Sequence, residues 1–108
     1  MPHDVYEAIA DSSRRKILVM LAGKDLSVQD ISAKFPVSRP AISKHLRILR
    51  EAGLVDEHKV GRRRLYHLQV EKLAELREWV SYFDQFWVDK LNALKVLVES
   101  KDDDSATD

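Results

Sequence analysis

The chain contains no cysteine. That excludes disulfides, thiolate zinc sites and cysteine nucleophiles. It has no apolar run long enough to span a bilayer. Its start, Met1-Pro2-His3-Asp4, lacks the basic and apolar stretches of a secretion signal. A cytoplasmic microbial protein with no membrane insertion is therefore expected. Glycine and proline are scarce, three of each, and each falls where an element should begin, end or turn. There is also no net charge, with 18 basic and 18 acidic residues. Taken as a sum, that balance argues against a nucleic-acid partner. What is present is 108 residues, 44% hydrophobic and 33% charged, which suits one soluble globular domain with a modest core.

The distribution of charge reverses the argument from its sum. Between Arg39 and His67 the cations are Arg39, Lys44, Arg47, Arg50, Lys59, Arg62, Arg63 and Arg64, against Glu51, Asp56 and Glu57. The end of the chain is acidic, with Glu99, Asp102, Asp103, Asp104 and Asp108 against Lys101. Docking follows local potential, so a balanced total conceals a basic face.

That basic region opens on one well-delimited helix, residues 38–52. Ser38 is placed to cap it, Pro40 sits in the first turn where no N–H is needed, and Gly53 closes it with Leu54 packing back. Ile42, Leu46 and Leu49 form a buried stripe. Pro40, Ser43, Lys44 and Arg47 face the other way, with Arg39 and Arg50 at the flanks. A short cationic face carrying a small hydroxyl suits a DNA major groove, although solvated helix faces are often basic too. His45 falls beside the apolar stripe, which suggests a packed, hydrogen-bonded histidine rather than a base reader.

Upstream, Asp4 to Ala10 reads as a short amphipathic helix with Val5 and Ile9 on one side. Asp11 caps a second helix, Ser12 to Ala22, with Ile17, Leu18 and Leu21 inward and Gly23 at its end. Arg14, Arg15 and Lys16 lie at the wrong end of that helix for its dipole, as a solvated cluster or a phosphate contact. Ser27 and Asp30 form a capping box for a third helix, with Val28, Ile31 and Phe35 buried and Pro36 stopping it. Phe35-Pro36-Val37 turns directly into the Ser38 helix, giving a helix-turn-helix.

After Gly53 the apolar period changes. Leu54 to Val60 and Arg64 to Leu68 read as two strands around the tip Gly61-Arg62-Arg63. The tip is either an ordinary charged turn or a wing, residues 54–68, that follows a phosphate backbone or enters a minor groove. From Glu71 to about Lys101 the pattern predicts one long helix, roughly 45 Å at the usual rise. Leu73, Leu76, Val80, Phe83, Trp87, Leu91, Leu94 and Val98 alternate steps of three and four, close to coiled-coil spacing. So much apolar surface calls for a second copy, the competing reading being a cofactor pocket lined by Trp79, Tyr82, Phe86 and Trp87. Residues 101–108 read as an acidic disordered tail, leaving 1–100 as one DNA-binding and dimerisation domain.

With these pieces in place the chain resembles the ArsR-type family of bacterial winged helix-turn-helix repressors. The resemblance is carried by Ala10 to Leu18, by Val37 to Leu46 with Glu51-Ala52-Gly53-Leu54-Val55, and by Gly61-Arg62 with Tyr66 and Leu68. It covers about residues 4 to 98. The resemblance implies a mostly α fold with a small β-hairpin and a homodimer built from the first and last helices. It also implies an inverted-repeat operator in double-stranded DNA. Metal-sensing members carry cysteines in the third helix, where this chain has Leu26-Ser27-Val28-Gln29-Asp30-Ile31. Others hold zinc with histidines on the last helix, whereas the histidines here are His3, His45, His58 and His67. Asp84, Asp89 and Glu99 alone do not make a nitrogen-rich site. No metal or other cofactor is expected, and the pattern is similar to the cysteine-free, SdpR-like autorepressor subgroup.

The expectation is a dimeric, sequence-specific repressor. Ser38, Arg39, Pro40, Ser43, Lys44, Arg47, Arg62 and Arg63 would meet DNA. Val5, Ile9, Val80, Phe83, Trp87, Leu91 and Leu94 would meet the second copy. An unknown protein or small-molecule inducer would act on the interface. The rival readings are a winged-helix module that binds only protein, a metal sensor with an unrecognised site, and, further off, an enzyme, for which no nucleophile–base constellation is present.

Overall fold

The computed structural model describes residues 3–106. Met1 and Pro2 at the start, and Thr107 and Asp108 of the expected tail, lie outside the described residues. The order of elements is α1 (Val5–Ile9), α2 (Ser12–Gly23), α3 (Val28–Ala33), α4 (Arg39–Glu51), β1 (Val55–Val60), β2 (Arg63–Leu68), a 3₁₀ turn (Val70–Lys72), α5 (Leu73–Ser81) and α6 (Asp84–Ala106). The chain divides into two compact units, passing from one to the other between Leu76 and Arg77.

The first four helices each begin on a side-chain cap, which satisfies one of the orphan N–H groups and is worth about 1 kcal/mol. The Asp4 carboxylate accepts from the Glu7 N–H at 2.7 Å and that of Asp11 from the Arg14 N–H at 3.0 Å. Ser27 accepts from the Asp30 N–H at 3.1 Å while Asp30 accepts from the Ser27 N–H at 3.2 Å, closing the expected capping box. Ser38 accepts from the Ala41 N–H at 3.4 Å. The end of α4 is equally well defined. Gly53 adopts φ +79°, and the N–H groups of Leu54 and Gly53 return to the carbonyls of Leu49 (2.9 Å) and Arg50 (3.0 Å), a Schellman closure.

The core of the first unit gathers one side of every helix up to α4. Ile17, Ile31, Ile42, Leu46, Leu49 and Leu54 are its largest fully buried side chains. Val5 belongs to this core too, at 2% exposure. This corrects its expected place at a dimer face: α1 is one short turn packed on α2 and α4, and its apolar side is used up within the protomer. Ile9 is half-buried against the same core.

The cations at the start of α2 serve the end of α1. Arg14 donates from Nε to the Ala8 carbonyl (2.7 Å) and from Nη2 to that of Glu7 (3.2 Å). Arg15 donates from Nη1 to the carbonyls of Ile9 (2.7 Å) and Ala10 (3.2 Å). Two guanidinium groups thus satisfy the carbonyls left open where α1 stops, and cations are favourable at that end of a helix.

β1 and β2 pair antiparallel, from Val55 opposite Leu68 to Val60 opposite Arg63. The turn is two residues, Gly61-Arg62, with Gly61 at φ +65° as the tight connection requires. Arg63 is therefore the first residue of a strand, not part of the tip. Leu26 adds a short bridge to the edge of β2 through both hydrogen bonds with Tyr66, at 2.8 and 3.2 Å.

The expected single long helix is interrupted. The Ser81 hydroxyl donates to the Glu78 carbonyl, and the N–H groups of Tyr82 and Phe83 bond three residues back, to Trp79 (3.2 Å) and Val80 (3.0 Å). A serine bonded to its own preceding turn competes with the helical ladder, and α5 tightens and ends there. Asp84 then opens α6 with the charge a helix start favours. The backbone of α6 continues to Ala106, so residues 101–106, expected as disordered tail, are helical; neither glycine nor proline follows Gly61 to stop it. Among the described residues no helix is long and apolar enough to cross a membrane.

Candidate nucleic-acid interface

α4 is set on the core by Ile42, Leu46 and Leu49, which are 0%, 1% and 0% exposed. With that face fixed, helical geometry turns the opposite one outward. Ser38, Arg39, Pro40, Ser43, Lys44 and Arg47 are all exposed, as the sequence pattern requires. His45 is not on that face. It is half-buried, and its Nδ1 lies 3.3 Å from Arg14 Nη1. Arginine can only donate, so a hydrogen bond here has Nδ1 as its acceptor. His45 ties α4 to α2.

The basic residues fall into two groups by what holds them. Arg50 donates from Nη1 to Glu57 Oε1 at 2.9 Å, and Arg64 Nε lies 4.0 Å from Glu57 Oε2. Arg63 donates from Nη2 to Asp30 Oδ2 at 2.8 Å. By contrast, Arg39, Lys44, Arg47, Lys59 and Arg62 have no ion-pair partner among the described residues. Exposed pairs of the first kind stabilise by less than about 1 kcal/mol. Their effect is on direction: they turn Arg50 and Arg63, and more loosely Arg64, toward the protein, while the second group carries no such pairing. Arg63 thus differs from its expected role at the tip, because its position in β2 aims it at α3. The same contact acts on its partner. Hydrogen bonds from the Ser27 backbone and side chain, and then the charge of Arg63, hold the Asp30 carboxyl below its ordinary value.

The hairpin face that carries Arg63 also meets Asp25, a carboxylate between α2 and α3 with two histidine neighbours. His67 Nδ1 lies 2.7 Å from Asp25 Oδ1, and His58 Nε2 lies 3.5 Å from Asp25 Oδ2. Among the described residues, no group of three or more histidines and carboxylates is arranged to hold a metal ion.

In the second unit the expected interface residues are on the surface. Val80, Phe83, Trp87, Leu91 and Leu94 are 47–61% exposed. Trp79, Tyr82, Phe86 and Trp87 are 51–74% exposed, so within this chain they line no enclosed cofactor pocket. One feature escaped the sequence pattern, the junction at Glu57; Lys59, opposite Arg64 on the same hairpin face, has no ion-pair partner among the described residues. Alternation along β1 puts Glu57 and Lys59 on one face, but nothing in the sequence says that Arg50 reaches that face.

The geometry agrees with known proteins. The family model described as bacterial regulatory protein, arsR family, matches residues 11–57. The HTH-type transcriptional regulator Rv2034 of Mycobacterium tuberculosis is 39% identical over 96% of this chain and 94% of its own. The transcriptional repressor SdpR of Bacillus subtilis is 38% identical over 75% of this chain and 90% of its own. Among solved structures, an ArsR-like transcriptional regulator from Rhodococcus sp. RHA1 superposes with a TM-score of 0.70 at 35% identity, covering 89% of this chain and 88% of that one. A cationic helix seated on a helix-turn-helix core, an arginine-tipped hairpin beside it and these similarities together establish that the chain belongs to the ArsR family of bacterial winged helix-turn-helix DNA-binding transcriptional regulators.

Proposed function

We propose that two copies of this chain form a repressor that reads an inverted repeat in double-stranded DNA. In this reading α4 lies in the major groove. Arg39, Pro40, Ser43 and Lys44 meet base edges, and Arg47 with the Ser38 end of the helix meets phosphates. Arg62 at the hairpin tip follows the adjacent groove, and Arg63 contributes only from its tether to Asp30. The observation that carries the proposal is the set of cations without an ion-pair partner among the described residues: Arg39, Lys44 and Arg47 on one helix face, with Arg62 at the hairpin tip and Lys59 beside it. A protein that used these residues only to stay soluble would have no reason to pair its other three arginines nearby and spare these.

The second copy is supported by the surface of α5 and α6. Phe83, Trp87, Leu91 and Leu94 form a row of large apolar side chains 47–61% exposed, the kind of surface that marks an interaction site. A two-fold axis lets identical faces cover each other and sets two reading helices about one DNA turn apart, roughly 34 Å. Repression is favoured by the likeness to SdpR, named a transcriptional repressor. Regulation without a metal is in keeping with a sequence that offers no thiolate. A protein or small molecule acting where the copies meet would change the spacing of the reading helices and so release DNA. The reading gives the chain no enzymatic role and places it in the cytoplasm with its operator. The test is selection of bound sequences from a random duplex pool: an inverted repeat with half-sites about one turn apart is expected, and recovery of no shared sequence would overturn the proposal.

A further inference from the structure

We propose that Glu57 is a positioning residue that sets the angle between the hairpin and the reading helix, and so governs how well the protein separates its operator from other DNA. The inference rests on the DNA-reading role proposed above. Glu57 stands on β1, residues of α4 and β2 touch it, and its side chain is 20% exposed, against 54% for Arg50 and 59% for Arg64. One oxygen takes the Arg50 guanidinium from the last turn of α4 at 2.9 Å. The other faces Arg64 of β2 at 4.0 Å. Its cross-strand partner is Tyr66, whose phenol is pushed above its ordinary value first by burial and then by a hydrogen bond to Glu57. Tyr66 also carries the bridge to Leu26.

This one carboxylate therefore joins the C-terminal turn of the reading helix to both strands of the hairpin. On the opposite face of the hairpin, Arg63 is held by Asp30 of α3. With both faces tethered to different helices, the hairpin has one preferred inclination, and Arg62 at its tip is delivered to one place relative to Arg39 and Lys44. Fixed placement is what turns a cation into a discriminating contact, because a mobile one finds a phosphate on any sequence. Glu57 has a second effect of opposite sign on affinity. It neutralises Arg50 and Arg64, two cations beside the interface that would otherwise add to sequence-independent attraction.

Two substitutions separate charge from position. E57Q removes the charge, and E57D keeps it on a side chain one methylene too short to span Arg50 and Arg64. Both are compared with wild type on the duplex that wild type selects and on a random duplex, across a series of salt concentrations. For E57Q, binding to random duplex strengthens and its salt slope steepens by about 2 per dimer, as one released arginine per copy reaches a phosphate. Its operator-to-random ratio falls about tenfold, comparable to losing one well-read base pair. For E57D the retained charge still offsets the two arginines, so the slope changes by less than half as much as in E57Q, while the ratio falls by a similar factor. A purely structural role would weaken both duplexes in parallel and leave the ratio unmoved, and that result in E57D overturns the proposal even if E57Q melts too readily to assay. Wild type failing to select any sequence would instead remove the DNA-reading role on which this one stands.

Discussion

Replacing Arg62 with alanine isolates the contribution of the hairpin tip, because that side chain has no ion-pair partner among the described residues and its removal should leave the fold unchanged. If Arg62 neutralises one phosphate in each copy, a dimer loses two contacts. Each contributes about 0.9 to the slope of log affinity against log salt, so the slope should flatten by about 1.8. Between roughly 50 and 200 mM salt, wild type should then lose about 12-fold more affinity than the variant, since a fourfold change in salt raised to the power 1.8 is about 12. Fluorescence anisotropy with a labelled duplex reads this directly. Arg63→Ala is the internal comparison. Its guanidinium is already committed to Asp30 at 2.8 Å, so its removal should change the slope by less than half as much. Equal slopes for wild type and R62A, or a larger change for R63A, would refute the division of the arginines into committed and available groups.

Three further outcomes follow from the same structure. Gly53→Ala forces a side chain onto φ +79° and against the Lys72 Cγ at 3.0 Å; a loss of about 1–2 kcal/mol is expected, a melting point lower by about 4–16 °C, and an unchanged melt would count against the Schellman closure. Leu91→Glu, which puts a charge on a residue 61% exposed in the single chain, should yield monomers in sedimentation and weaken operator binding by about 100-fold or more, through loss of the paired half-sites. The Asp11 carboxyl is lowered first by the hydrogen bond from the Arg14 N–H. Its contribution to stability is therefore complete above the ordinary carboxylate value near pH 4 and fades as pH falls through the lower folded-state value. D11N, which keeps an accepting oxygen but does not titrate, should show a shallower acid loss in urea melts between about pH 5 and pH 2, and an identical acid limb would exclude this contribution.

The local grammar of the chain was legible because it is local. Asp11, Ser27 with Asp30, and Ser38 cap helices within three residues of themselves, and Gly53 closes α4 against carbonyls a few residues back. The buried stripe of α4 repeats at the helical period, so its outer face could be named without knowing what lay beneath. The interruption at Ser81 escaped because the apolar spacing runs through it unbroken, while the signal that ends α5 is a single hydroxyl choosing the Glu78 carbonyl. Arg63 was misplaced by one residue of hairpin register: a two-residue turn puts it in the strand, and alternation then decides which helix it faces.

The sequence by itself determined the helix-turn-helix, the hairpin and the row Arg39, Ser43, Lys44, Arg47, since caps, turns and periods act over a few residues and owe nothing to the rest of the fold. Tertiary structure alone decided which cations remain available. Arg14 and Arg15 go to the carbonyls of α1, Arg50 and Arg64 to Glu57, and Arg63 to Asp30. Those pairings join residues up to 33 positions apart. Charge attraction at contact distance depends on where the backbone brings each group, and no reading of spacing along a chain contains that information.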